Sequence, residues 1–184
     1  MRGWSRSLAE MAPTLGTKAS SLPPEGAHFG SAALREPRGG PSENCPPPNA
    51  LAKSAFSFQI RVYWEDTDAG GIVFYANYLK FFERARTEWL RSFGIEQQQL
   101  KETTGGMFVV AETTVRYLCP ARLDDELIVT ARMQMSGQAS MTIHQQVLLK
   151  STLLCEGTVR IGWVDAASLR PSRIPQNIIE SLKV

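Results

Sequence analysis

The chain of 184 residues carries 20 Lys+Arg against 18 Asp+Glu, a formal net charge of +2, and the whole of that excess lies before position 56. The rest is electrically neutral and offers no basic stripe. That argues against a nucleic-acid partner, because such modules draw most of their affinity from phosphate contacts.

Residues 1–54 read as a Pro/Gly-rich leader. Eight of the eleven prolines fall before position 56, and Val, Ile and Tyr are absent there. Runs such as Ser21-Leu22-Pro23-Pro24 and Cys45-Pro46-Pro47-Pro48 lack apolar periodicity and cannot bury enough surface to offset the entropy of ordering, so this stretch is expected to be disordered. Arg2 and Arg6 are followed by no uninterrupted apolar run before Glu10 and Pro13, which disfavours a secretory signal. A transit peptide and a start assigned too far upstream are the alternatives, and a chain beginning near Leu51 is expected to keep full activity. No window of about 18 apolar residues exists, so no transmembrane helix is expected. Cys45, Cys119 and Cys155 form no Cys-x-x-Cys pair and give neither a metal spacing nor an even disulfide framework, so a cytoplasmic, reducing setting fits them best.

Residues 55–184 are enough for one domain with its own core. Phe58, Ile60, Val62 and Trp64 alternate with polar neighbours, which predicts a half-buried strand over roughly 56–65. Tyr78, Phe82, Ala85, Trp89 and Phe93 then recur at helical spacing and predict a helix over about 75–93, with Arg84 and Glu88 at i,i+4 on its polar side and Gly94 ending it. A short turn is expected over 95–101. Four strand-like runs follow at roughly 107–118, 126–136, 139–150 and 152–165, joined by short turns and therefore mainly antiparallel. A closing helical turn is expected over 176–182. The fold class is α+β, one long helix against a curved antiparallel five-stranded sheet. One helix cannot cover both faces of such a sheet, so a second copy is expected to cover the other, as a homodimer or homotetramer.

The densest chemistry lies between the first strand and the helix. Glu65, Asp66 and Asp68 stand within four residues, and Gly70 and Gly71 follow, able to adopt φ > 0 and to let a ligand approach the backbone. Unspent N–H groups in the first helical turn favour a negative or developing-negative oxygen. A carboxylate beside such a site is a hydrolase arrangement. The plainer reading is a capped turn, since Asp and Gly are favoured there for local reasons. A cation site lacks the full Ca²⁺ loop pattern, and a phosphate loop lacks Gly-Lys-Ser/Thr. His144 reads as an ordinary strand residue.

The stretch Arg61-Val-Tyr-Trp-Glu-Asp-Thr-Asp-Ala-Gly-Gly-Ile-Val-Phe-Tyr-Ala-Asn-Tyr78, with Phe82-Glu83-Arg84-Ala85-Arg86 and Arg116-Tyr-Leu-Cys-Pro-Ala-Arg-Leu-Asp-Asp125, closely resembles the 4-hydroxybenzoyl-CoA thioesterase family of hotdog-fold proteins. It looks most like the branch associated with the bacterial Tol-Pal system. The resemblance covers residues 56–182 and implies hydrolysis of an acyl-CoA without metal or organic cofactor, possible acyl carrier protein delivery included. It implies that Asp68 is the catalytic carboxylate, as nucleophile or general base, and that the backbone N–H of Tyr75 binds the carbonyl oxygen. Gly71 and Asn77 join Tyr75 as expected oxyanion or substrate-binding positions. Many members of this branch carry His where this chain has Tyr75, and a phenol with an ordinary pKa near 10 cannot take over an imidazole's proton transfer at neutral pH. Tyr75 is then a candidate wall of the acyl pocket. Glu65 and Asp66 read as capping or surface carboxylates, Glu83 as an ion-pair partner and Tyr78 as core. Arg116, Arg122, Arg132, Lys150 and Arg160 are the cations available for CoA phosphates. The alternatives are a non-catalytic acyl-CoA or acyl-carrier-protein binding module, which has no need of Asp68, and a dehydratase, which would want a His-carboxylate pair.

Overall fold

A computed structural model describes residues 45–46 and 55–182. The expected leader lies outside the described residues except for Cys45 and Pro46. The elements run β1 (Phe56–Arg61), a 3-10 turn (Trp64–Asp66), α1 (Asn77–Ser92), α2 (Gln97–Thr104), β2 (Gly106–Tyr117), β3 (Glu126–Ser136), β4 (Ser140–Leu149), β5 (Thr152–Asp165) and α3 (Gln176–Ser181).

The strands form one antiparallel sheet in the order β1-β3-β4-β5-β2. β3, β4 and β5 are successive hairpins, as the turn signals at Ser136-Gly137 and Lys150-Ser151 predict. β2 departs from the expected meander: it pairs with β5, from Gly106 opposite Asp165 to Tyr117 opposite Cys155, and so forms the edge opposite β1. Residues 118–125 return the chain across the sheet to β3. Turn residues report that a strand ends but not which strand it pairs with. The short turn expected after α1 is the two-turn helix α2, which Gly105 closes in the left-handed conformation at φ +67°.

α1 lies along one face of the sheet, against β1, β3 and β4. Its buried side chains Tyr78, Phe81, Phe82, Ala85, Trp89 and Leu90 are the predicted apolar stripe widened by Phe81 and Leu90. Phe81 and Phe82 are wholly buried and each contributes about 1.5–3 kcal/mol by leaving water. On the solvent side Glu88 pairs with Arg91 one turn on, not with Arg84. A polar rivet fixes the helix to the sheet. Gln145 of β4 is fully buried, its Nε2 donates to the Phe82 carbonyl at 2.9 Å, and its Oε1 accepts from Arg86 Nη1 at 2.8 Å. Burial lowers the Arg86 pKa from its ordinary value.

Cys45 and Cys119 are joined as a disulfide with Cα atoms 6.1 Å apart, and the Pro46 carbonyl accepts from Leu153 N–H at 3.0 Å. This corrects the expectation of three unpaired cysteines. The partners are 74 residues apart, so no local spacing could reveal the pair. Cys155 is a buried free thiol pushed up to about 12 by burial and by nearby Glu156. We expect reduction to lower unfolding stability by about 2–4 kcal/mol, the usual range for releasing a long loop constraint. Denaturant titration with and without reductant checks this, with Cys45→Ser as the reference that should not respond. Among the described residues no helix is long and apolar enough to cross a membrane.

Candidate active site

β1 runs into the 3-10 turn, where Asp66 is buried. Its Oδ2 accepts from Tyr63 N–H at 3.0 Å, and its main-chain carbonyl accepts from Phe74 N–H at 2.9 Å. Asp66 is therefore a capping carboxylate, as its sequence context suggested, and Glu65 beside it is exposed. The three clustered carboxylates point to different ends: among the described residues no group of three or more His, Cys, Asp or Glu converges as a metal site.

Residues 67–73 then form a tight hairpin, closed by a bridge between Thr67 and Val73, with Asp68 N–H donating to Ile72 O at 2.9 Å and Gly71 N–H to Asp68 O at 3.0 Å. Asp68 is exposed near its tip, and Oδ1 accepts from Gly70 N–H at 2.8 Å. That bond orients the carboxylate while Oδ2 has no protein donor among the described residues. Gly71 adopts φ +70°, which this tight turn requires, and the space beside it is open, with nothing within 4 Å of an added Cβ. At Gly70 an added Cβ would stand 3.1 Å from Asp68 Oδ1, so this glycine keeps room for the carboxylate.

The helix begins at Asn77 with Ala76 as N-cap, two residues later than expected, and no side chain caps it. Ala offers no side-chain acceptor to the helix start. Asn77 N–H is spent on Phe74 O and Leu79 N–H on Ala76 O, whereas Tyr75 and Ala76 N–H have no acceptor among the described residues. Asn77 is buried, and its Nδ2 donates to Asp66 O at 3.0 Å and Glu65 O at 3.4 Å. Its side chain clamps the helix start to the 3-10 turn.

A cavity of about 280 Å³ adjoins this helix start. Ile72, Val73 and Tyr75 line one side, Tyr78 the base, and Tyr117 through Pro120 the other side. Tyr75 is 62% exposed, and its ring meets Phe74 at 4.6 Å and Tyr117 at 6.2 Å. Tyr75 thus combines an unspent N–H with an aromatic wall. Tyr78 is core, as expected: its hydroxyl oxygen accepts from Ala121 N–H at 3.0 Å, and burial raises its pKa to about 12, so the phenol stays protonated at neutral pH. A second cleft of about 290 Å³ between the end of α1, α2 and α3 contains none of the expected site residues.

Of the five expected phosphate cations, Arg116 pairs with Glu156 at 2.8 Å and Arg160 with Glu112 at 3.3 Å. Arg122, Arg132 and Lys150 have no ion pair among the described residues, and of these Arg122 adjoins the cavity, its main chain bridged to Ile72. Glu83 is exposed and accepts from the Thr87 hydroxyl at 2.7 Å, and its charge acts on nearby Arg86 without a close ion pair among the described residues. His144 is a strand residue opposite Thr158. The wall at Tyr117 to Pro120 carried no site assignment in the sequence, although Arg116-Tyr117-Leu118-Cys119-Pro120 belongs to the resembling stretch; its role emerges only once β2 ends beside the helix start.

An antiparallel sheet holding one long helix, with a carboxylate hairpin ahead of an uncapped helix start, defines a hotdog protein of the thioesterase class. The sequence profile of the thioesterase-like superfamily matches residues 62–182, and the chain belongs to that superfamily. It is 40% identical over 128 residues to the acyl-CoA thioesterase YbgC of Haemophilus influenzae, covering 70% of this chain and 94% of the relative. It is also 40% identical over 129 residues to the acyl-CoA thioester hydrolase YbgC of Escherichia coli, covering 70% and 96%. A probable thioesterase from Bartonella henselae superposes with a TM-score of 0.64 at 32% identity, covering 66% of this chain and 100% of that one. The relatives lie in the branch that the sequence resemblance singled out.

Proposed function

We propose that the chain hydrolyses the thioester of an acyl-CoA to free acid and CoA. The observation that carries this reading is the pair of unspent N–H groups at Tyr75 and Ala76, at an uncapped helix start beside an apolar cavity, in the segment that follows the hairpin of the oriented Asp68 carboxylate. The carbonyl oxygen takes Tyr75 N–H, one residue before the N-cap, and that bond grows more favourable as charge builds on the oxygen. Asp68 either draws a proton from a water that adds to the carbonyl carbon or adds to that carbon itself, forming an anhydride that water then opens. In both routes the C–S bond breaks, the thiolate leaves and is protonated, and one water is consumed. The chemistry requires only a carboxylate and main-chain donors. Arg122, uncommitted and bridged to the cavity wall, is the side chain best placed to meet a CoA phosphate.

β2 supports the expectation of a second copy. It is an edge strand of 12 residues, exposed from Val110 to Thr114, and a long unpaired edge of this kind is a template for pairing with another chain. The reading is tested by a thiol-release screen of the purified protein over short, long and aromatic acyl-CoAs and one acyl carrier protein thioester. Release of free thiol supports hydrolysis. Tight binding without thiol release would leave a binding module, and gain or loss of water with the thioester intact would make it a dehydratase.

A further inference from the structure

We propose that Tyr117 sets the upper size limit on the acyl group that the aromatic cavity admits. The inference rests on the hydrolase reading above, which puts the thioester carbonyl at Tyr75 N–H and turns the acyl group toward the cavity. At about 280 Å³ the cavity is at the small end of ligand sites. That is room for an acyl group and not for CoA.

The cavity's walls differ in firmness. Tyr78, at the base, is buried, its hydroxyl is held by Ala121 N–H, and its ring packs edge-on against Phe81 at 5.9 Å. Ile72 and Val73 are fixed through main-chain bridges to Arg122 and Thr67. Tyr117 is different. It ends the edge strand β2, is 47% exposed, and its hydroxyl has no hydrogen bond among the described residues. Its ring meets Tyr75 edge-on at 6.2 Å and Tyr78 at 5.6 Å, so it links the carbonyl end of the cavity to its base. Directly opposite Tyr117 on β5 stands Cys155, and opposed residues of an antiparallel pair project from the same face. A side chain as small as Cys cannot fill the room that the Tyr117 ring would vacate. Truncating Tyr117 therefore lengthens the cavity along the sheet, whereas truncating Tyr78 would strip the Ala121 N–H of its acceptor and open the core.

The test is a series of straight-chain acyl-CoAs from acetyl to palmitoyl, with kcat/KM read by thiol release for the parent, Tyr117→Phe and Tyr117→Ala. The parent's kcat/KM falls as the chain lengthens toward palmitoyl. Tyr117→Phe keeps the parent's chain-length profile, because the hydroxyl has no partner. Tyr117→Ala raises the ratio of kcat/KM for dodecanoyl over butanoyl at least about tenfold, since each methylene that finds an apolar wall is worth tenfold or more in discrimination. An unchanged ratio in a folded Tyr117→Ala protein overturns the proposal, and Tyr117→Leu serves the same comparison should the Ala variant fail to fold. If the parent releases no thiol from any substrate, the hydrolase reading fails by itself. Equilibrium binding of the same series then decides the size limit: a tenfold shift in the dodecanoyl-to-butanoyl affinity ratio supports it, and an equal ratio overturns it.

Discussion

Replacing Asp68 by Asn lowers kcat for thiol release by about 10²–10⁴-fold with little change in stability. The range is that of losing a positioned proton acceptor, and loss of a nucleophile lies at or beyond its upper end. The substitution is informative because the amide Oδ1 can still accept from Gly70 N–H, so the hairpin bond at 2.8 Å is kept while the negative charge is removed. Steady-state kinetics alongside a thermal melt separates the two effects. A variant that melts like the parent yet has lost turnover has lost chemistry, not shape. Because Asp68 is exposed and Asp66 is buried as a cap, the two substitutions should differ in kind. Asp66→Asn would act on stability through the Tyr63 N–H bond, and Asp68→Asn on rate.

A large stability effect is expected at Gly157. This β5 residue lies opposite Val115 of β2 and beneath α1, and a Cβ there would stand 2.5 Å from the Thr114 carbonyl oxygen and 3.1 Å from Phe82 Cε2. One obstruction is backbone and the other is a wholly buried ring, so neither can yield cheaply. Gly157→Ala should cost on the order of 2–3 kcal/mol or more by overpacking. Gly162 on the same strand is the control. The nearest atom to its added Cβ is the Ala139 carbonyl oxygen at 3.9 Å, an ordinary contact, so Gly162→Ala should stay within about 1 kcal/mol of the parent. Denaturant unfolding of the three proteins reads the difference directly.

Much of this architecture is legible in the chain. The spacing of Tyr78, Phe82, Ala85 and Trp89 marks the buried face of α1 because burial imposes the helical period on whatever residues lie there. The alternation at Phe58, Ile60 and Val62 marks β1 for the same reason, although the strand stops at Arg61 where the Asp66 cap turns the chain. The later start of α1 is not legible. Tyr75 and Ala76 have no helix-breaking chemistry, and the boundary is set by the Asn77 amide reaching back to main-chain carbonyls 11 and 12 residues earlier. The position of β2 beside β5, the Cys45–Cys119 pair and the place of Tyr117 on the cavity wall share one cause. Each depends on contacts between residues 38 to 74 positions apart, which no local period or turn signal carries.

The most direct test of the account is a product balance. The purified chain is incubated with an acyl-CoA that it accepts, and free thiol and free acid are quantified together, for the parent and for Asp68→Asn under the same conditions. Equal amounts of thiol and acid are expected from the parent, and a loss of both by about 10² or more in the variant. Thiol and acid formed at the parent rate by a folded Asp68→Asn protein would contradict it.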